Sequence, residues 1–224
     1  DKPNYSTVSF KDEFSSRDDR LRQTVRGPSY KMDGAAKVPD IVNDVAPTGY
    51  HPIKFVEDVG SKNDKSQNEN SYPIIRYAEV LLNYAEAKAE IGELTDAEWK
   101  STIGAIRARA GISSSSAAVN SRPTTVDTYL QETFYPRVTD PIILEIRRER
   151  AIELVYEGFR VNDLNRWAEG KRFETVPWTG IHVSELDAPI DINGDGSNDI
   201  YLTEKEVSEI PSFYKGIYVK IYPE

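Results

Sequence analysis

The sequence contains no cysteine, a single methionine (Met32) and only two histidines (His51 and His182) among 224 residues. Lacking cysteine, it has no disulfides, no thiolate nucleophile and no zinc ribbon, although the absence is silent on compartment because many exported proteins also lack cysteine. No run approaches the ~20 apolar residues of a membrane-spanning helix. No basic-then-apolar signal segment opens the chain either. Positive charge is the scarcer sign: 28 Lys and Arg face 37 Asp and Glu, a formal charge of −9. Such a polyanion repels phosphate backbones, which disfavours nucleic acid as a partner. Apolar residues make up 38% of the chain, below the ~45–50% of a typical globular domain. Leu, Ile, Val and Phe nonetheless total 53, above the roughly 20% below which a core cannot offset the ordering entropy. The chain should therefore fold, with its 13 Tyr and 13 Pro marking aromatic-studded irregular stretches. It begins Asp1-Lys2-Pro3 with no initiator methionine, which predicts a processed or truncated product.

Residues 1–72 read as loop-rich, punctuated by five prolines and by Gly27, Gly34, Gly49 and Gly60, with a polar tract over 61–70. Residues 73–111 read as a helical hairpin. Ile74, Ala78, Leu81, Leu82, Ala85 and Ala89 recur at helical spacing, Pro73 suits a first turn and Gly92 the residue past the end. Thr95-Asp96-Ala97-Glu98 has the order of a capping box, so a second helix is expected to about Ala110, antiparallel to the first. A tetratricopeptide-like unit of this kind needs stacking neighbours to bury both faces, and only one clear pair is present. After a flexible connection over 113–123 and a short helix over 126–134, Asp140-Pro141 opens charged helices spanning 140–168, interrupted at Gly158. Residues 170–224 are irregular, with strand-like runs at 199–202 and 216–222. The predicted fold is mainly α, with long irregular loops and a few short strands.

Within the charged helix, Glu149, Glu153 and Glu157 recur every four residues among Arg147, Arg148 and Arg150. That spacing favours interlocked ion pairs over an acid–base carboxylate pair. Arg160, Asp163 and Arg166 are expected to tie their helix to neighbouring loops. Asp191, Asn193, Asp195, Ser197 and Asp199 fall at positions 1, 3, 5, 7 and 9 of a calcium loop, with Gly196 at the turn. Leu202 stands where the bidentate Glu belongs, and a plain Asn-Gly/Asp-Gly hairpin turn is the alternative. A structural calcium ion is the expectation. The chain carries no Gly-x-Ser-x-Gly elbow, phosphate loop or His-Glu-x-x-His helix, and both histidines read as surface residues. Aromatics set among loop residues, Tyr5, Tyr30, Tyr50, Trp178 and Tyr214, offer flat faces for sugar rings or peptide groups. Trp178, Tyr50 and Tyr30 are the candidate ligand contacts.

Five ordered blocks carry a family resemblance: Arg17 to Val25, Thr48-Gly49-Tyr50, Ile75 to Ala87, Ile106 to Ile112, and Arg147 through Tyr156-Glu157-Gly158-Phe159-Arg160 to Arg166-Trp167. In order and spacing they resemble the C-terminal half of SusD/RagB-like proteins. The resemblance implies a helical fold with tetratricopeptide-type hairpins and no catalysis. It further implies a surface-exposed lipoprotein of the outer membrane that binds oligosaccharides, or peptides in some branches, as the lid of a TonB-dependent, SusC-like transporter. The lipid-bearing N-terminal cysteine and the N-terminal half are expected to be missing. Ligand contacts in this family come from variable loops, so the five blocks read as scaffold. Two other functional readings compete: an interaction module whose main partner is the transporter, and a hydrolase using Glu149 and Glu153.

Overall fold

The computed structural model describes residues 7–15, 17–43, 45–172 and 179–222. Their contacts fall into two units: Asp1–Arg17, Leu21–Asn70 and Trp178–Glu224 supply a loop-rich one, and Asp18–Arg20 with Ser71–Pro177 a helical one.

In the loop-rich unit, helix α1 (Phe10–Glu13) is capped by Ser9, whose side chain accepts the Asp12 N–H at 3.2 Å. Helix α2 (Asp19–Thr24) leads to a two-residue hairpin of β1 (Lys31–Met32) and β2 (Ala35–Ala36). Asp33 and Gly34 both have positive φ, as a type I′ turn requires. A three-stranded sheet follows. Strand β3 (Pro189–Ile190) runs antiparallel to β4 (Ile200–Thr203), and β5 (Tyr218–Lys220) runs parallel to β4 on its other side. Strands β4 and β5 lie where the strand-like runs were expected. Phe10, Phe14, Val25, Ile41, Ile192, Ile200 and Leu202 make the core of this unit.

The helical unit holds α3 (Tyr77–Glu90), α4 (Asp96–Trp99), α5 (Ala105–Arg109), α6 (Ala117–Asn120), α7 (Thr128–Phe134), α8 (Pro141–Glu153) and α9 (Phe159–Arg166). The described residues are thus mainly helical, as predicted. No helix among them is long and apolar enough to cross a membrane. Leu82, Trp99, Ile103, Leu144 and Ile146 are fully buried at the centre, each worth about 1.5–3 kcal/mol relative to exposure. Helix α3 is apolar on two sides. Ala78, Leu82, Ala85 and Ala89 enter the core, while Tyr77, Val80, Tyr84 and Ile91 remain exposed on a second stripe.

Three boundaries differ from expectation. Helix α3 starts at Tyr77 rather than Pro73, because Arg76 is extended (φ −109°, ψ 149°) and its guanidinium bonds to Glu153 and Glu157. The second helix of the hairpin is interrupted by a π-turn over Lys100–Gly104, where Gly104 lies so close to the Val119 carbonyl that a Cβ would stand 2.2 Å from it. Helix α8 stops at Glu153, and Tyr156 (φ 63°) and Gly158 (φ 83°) turn the chain into α9.

The capping box is present: the Glu98 N–H donates to Thr95 Oγ1 at 3.2 Å and the Thr95 N–H donates to Glu98 Oε2 at 2.8 Å. Thr95→Ala is expected to lower stability by about 1 kcal/mol in urea unfolding. Hydrogen bonds from Tyr84 and Thr95 hold the Glu98 carboxyl down to about 2, against 4.5 ordinarily. A carboxyl depressed on folding stabilises above its unfolded value and loses that contribution as pH falls from 4.5 toward 2. The gap between wild type and Thr95→Ala should accordingly shrink through that window. A gap that stays constant with pH would refute the assignment.

Candidate ligand-binding groove

Two Thr-Gly dipeptides far apart in sequence meet in the loop-rich unit. The Ile181 N–H donates to the Thr48 carbonyl at 2.8 Å, and the Gly49 N–H donates to the Ala46 carbonyl at 2.8 Å. Gly49 has φ +82°, and a Cβ on it would stand 2.7 Å from the Ile181 side chain. A Cβ on Gly180 would stand 2.7 Å from the Thr48 carbonyl oxygen. Only glycine permits this approach. Phe10 and Phe14 pack edge to face at 5.1 Å in the core of this unit, and Glu13, between them in sequence, lines the groove.

The resulting groove has a volume of about 730 Å³, within the ~300–1,000 Å³ range of small-molecule sites. Leu21, Ile181 and Val183 give it apolar surface, and Glu13, Arg17, Tyr50, Thr179 and His182 give it polar groups. The Tyr50 hydroxyl donates to Glu13 Oε2 at 2.8 Å. An aromatic ring, an acceptor-only carboxylate, a guanidinium and a hydroxyl can together recognise a polyhydroxylated ligand.

Of the three predicted contacts, Tyr50 lines this groove, Tyr30 does not, and Trp178 lies outside the described residues. Tyr30 sits with its ring 5.5 Å from the Arg26 guanidinium, and its buried hydroxyl has no hydrogen-bond partner among the described residues. Burial raises the Tyr30 phenol, opposed by Arg26 and reinforced by Asp58 and Asp33. Tyr5 also lies outside the described residues, and Tyr214 stacks on Tyr201 with centroids 5.0 Å apart. Neither histidine is a plain surface residue. His51 is half-buried and its Nδ1 accepts the Asp40 N–H at 3.2 Å, so burial, then Arg26, lowers its ring below the ordinary value. His182 is half-buried in the groove. Sequence reasoning missed Glu13 and Arg17. The available signal was Ser9 followed by Phe10 and Phe14, four residues apart.

The 191–199 segment is the connection between β3 and β4. The Asp191 carboxylate accepts the N–H groups of Gly194 (2.6 Å), Asp195 (3.2 Å) and Gly196 (2.7 Å). Asp195 accepts from Ser197 N–H at 2.8 Å and from Asn193 Nδ2 at 3.1 Å, and Asp199 accepts the Ile192 N–H at 2.9 Å. Burial raises the Asp199 carboxyl, with a further contribution from Asp191 and Asp195. The all-oxygen donor set suits a hard cation. Among the described residues, however, no three acidic or histidine side chains are gathered close enough to hold one. The Lys11 ammonium stands 2.6 Å from where a Cβ of Gly194 would be.

In the helical unit, the charged residues of four family blocks converge. Glu149, 1% exposed, pairs with Arg20 and with Arg107 Nε at 2.8 Å. Glu153 pairs with Arg76 at 3.0 Å and Arg109 at 2.6 Å, and Arg76 also bonds Glu157 at 2.7 Å. Burial pulls the Arg20 guanidinium down, but Asp18 and Glu149 more than offset it and hold it above its ordinary range. Buried and paired in this way, Glu149 and Glu153 are structural, which argues against the hydrolase reading. Asp163 and Arg166 join helices rather than loops: Arg150 bonds Asp163 at 2.9 Å, Arg166 bonds both Asp163 and Glu86, and the Trp167 Nε1–H donates to Glu86 at 2.7 Å. Arg160 donates to the Tyr135 hydroxyl at 2.9 Å.

No curated protein and no solved structure matches the chain. The sequence does match the family model of the SusD family, and it does so over residues 4–218. That span takes in all five blocks, the ion-pair network and the groove, and the chain belongs to the SusD family, whose members are generally non-catalytic nutrient-binding proteins associated with the outer membrane.

Proposed function

We propose that the chain is a non-catalytic, oligosaccharide-binding component of an outer-membrane uptake complex, a surface lipoprotein in its anchored form that works with a SusC-like, TonB-dependent transporter. The observation that carries the glycan reading is the groove, where Tyr50 is held by Glu13 among Arg17, Thr179 and His182. Trp178, which adjoins Thr179 in sequence, is proposed as a second aromatic contact of the groove. Isothermal titration against a panel of oligosaccharides and oligopeptides tests the proposal. Glycan binding that Tyr50→Ala weakens is expected. Binding to oligopeptides alone would overturn the substrate class.

The exposed apolar stripe of α3, Tyr77, Val80, Tyr84 and Ile91, favours a second reading. An interaction module would bury such a stripe against another helical element. Co-purification with a transporter, without any small-ligand affinity, would favour this reading over the first.

Calcium at Asp191, Asn193, Asp195, Ser197 and Asp199 is proposed as a structural ion of the β3–β4 connection, the hydrogen bonds of Asp191 and Asp195 giving way to cation contacts. The expected result is a rise of several degrees in the thermal midpoint in calcium over chelator, abolished in Asp195→Ala. An unchanged midpoint in both proteins would remove the ion.

A further inference from the structure

The two opposite charges of the groove are placed differently. Glu13 is half-buried and its carboxylate is bonded by the Tyr50 hydroxyl at 2.8 Å, whereas Arg17 is exposed. We propose that the groove admits neutral oligosaccharides and excludes those bearing carboxylate or sulfate groups, with Glu13 as the discriminating residue. This rests on the glycan-binding reading above.

Three observations carry it. First, a half-buried charge is screened by solvent less than an exposed one, so an anion entering the groove meets more repulsion from Glu13 than attraction to Arg17. Second, a carboxylate only accepts hydrogen bonds. A sugar hydroxyl can donate to it, while a uronate or sulfate oxygen can offer only another acceptor. Third, the whole chain carries a formal charge of −9, which lowers the local concentration of polyanions before contact is made.

Glu13 also positions the Tyr50 ring, and the two roles separate by substitution. In Glu13→Gln the amide oxygen still accepts from the Tyr50 hydroxyl but the charge is gone. In Glu13→Ala both are lost. The experiment titrates wild type, Glu13→Gln, Glu13→Ala and Tyr50→Ala with neutral hexasaccharides (maltohexaose, cellohexaose, xylohexaose, mannohexaose) and with hexagalacturonate and a chondroitin sulfate hexasaccharide. Wild type is expected to bind at least one neutral sugar ~10-fold or more tighter than either acidic one. Glu13→Gln is expected to narrow that gap to under ~3-fold, and to lose less neutral-sugar affinity than Glu13→Ala, which should lose ~10-fold.

Equal or tighter binding of an acidic sugar by wild type would overturn the selectivity, as would a gap that Glu13→Gln leaves unchanged. If Tyr50→Ala abolishes binding in those cases, the groove reading survives and only the selectivity fails. If no sugar binds, or if Tyr50→Ala binds as wild type does, both fall together.

Discussion

Glu149→Ala is expected to destabilise the helical unit by about 3–5 kcal/mol, the cost typical of removing one partner from a buried ion pair. The side chain is 1% exposed, and it accepts from Arg20 and from Arg107 Nε. Its loss leaves two guanidinium groups away from water, Arg107 retaining Glu145 at 2.5 Å and Arg20 retaining Asp18 at 2.6 Å. With a total stability of order 5–15 kcal/mol for a domain, such a loss approaches unfolding at physiological temperature. Urea unfolding followed by circular dichroism at 222 nm, which reports the helices, measures it. The control is Arg109→Ala. Arg109 also bonds Glu153, but its side chain is 57% exposed, so its removal should cost under about 1 kcal/mol. Glu149→Gln, which keeps one acceptor oxygen, replaces the other with an NH2 donor and removes the charge, should fall between. A loss below about 1 kcal/mol in Glu149→Ala would mean that water or a rearranged carboxylate replaces the pair, contrary to its burial.

Gly180→Ala is expected to cost about 1–3 kcal/mol, the range for overpacking a tight contact, and to weaken any groove ligand along with it. The added methyl would lie 2.7 Å from the Thr48 carbonyl oxygen, so backbone must move. The moving backbone carries the 2.8 Å hydrogen bond from Ile181 to Thr48 that joins the two dipeptides. Tyr50 and His182 are carried on the two joined segments, so the groove changes shape when they part. Gly216→Ala is the matched control: a Cβ there meets no atom within 4 Å, and the change should stay within about 0.5 kcal/mol. Equal behaviour of the two variants in urea unfolding and in ligand titration would show that the close approach has no role in shaping the site.

Local chemistry was the legible part of this sequence. Thr95-Asp96-Ala97-Glu98 and Asp140-Pro141 announced α4 and α8 because caps are satisfied by residues within one turn. Gly92 and Gly111 ended their helices with positive φ for the same local reason. The π-turn over Lys100–Gly104 was not legible. It accommodates a distant segment, whose Ala118 carbonyl accepts from both Trp99 Nε1 and Arg107 and whose Val119 carbonyl presses on Gly104. Arg76 was hidden in the same way, since an arginine beside a helical pattern does not say which carboxylates will hold it. In the groove, Tyr50 was visible as a loop aromatic. Glu13 and Arg17 were not, because a charged residue in a loop-like stretch reads alike whether it faces solvent or a site. Their meeting with residues 179–183 is a product of tertiary structure.

The pairing of Arg20 with Glu149 joins residues 129 apart in the chain, and that of Arg76 with Glu153 joins residues 77 apart. Contacts of such sequence separation form late, after the closure entropy of a long loop has been met. During synthesis four arginines, Arg20, Arg76, Arg107 and Arg109, emerge well before the carboxylates of α8 that neutralise them. The buried ion pairs of the helical unit therefore cannot be completed until the carboxylates of α8 have been made.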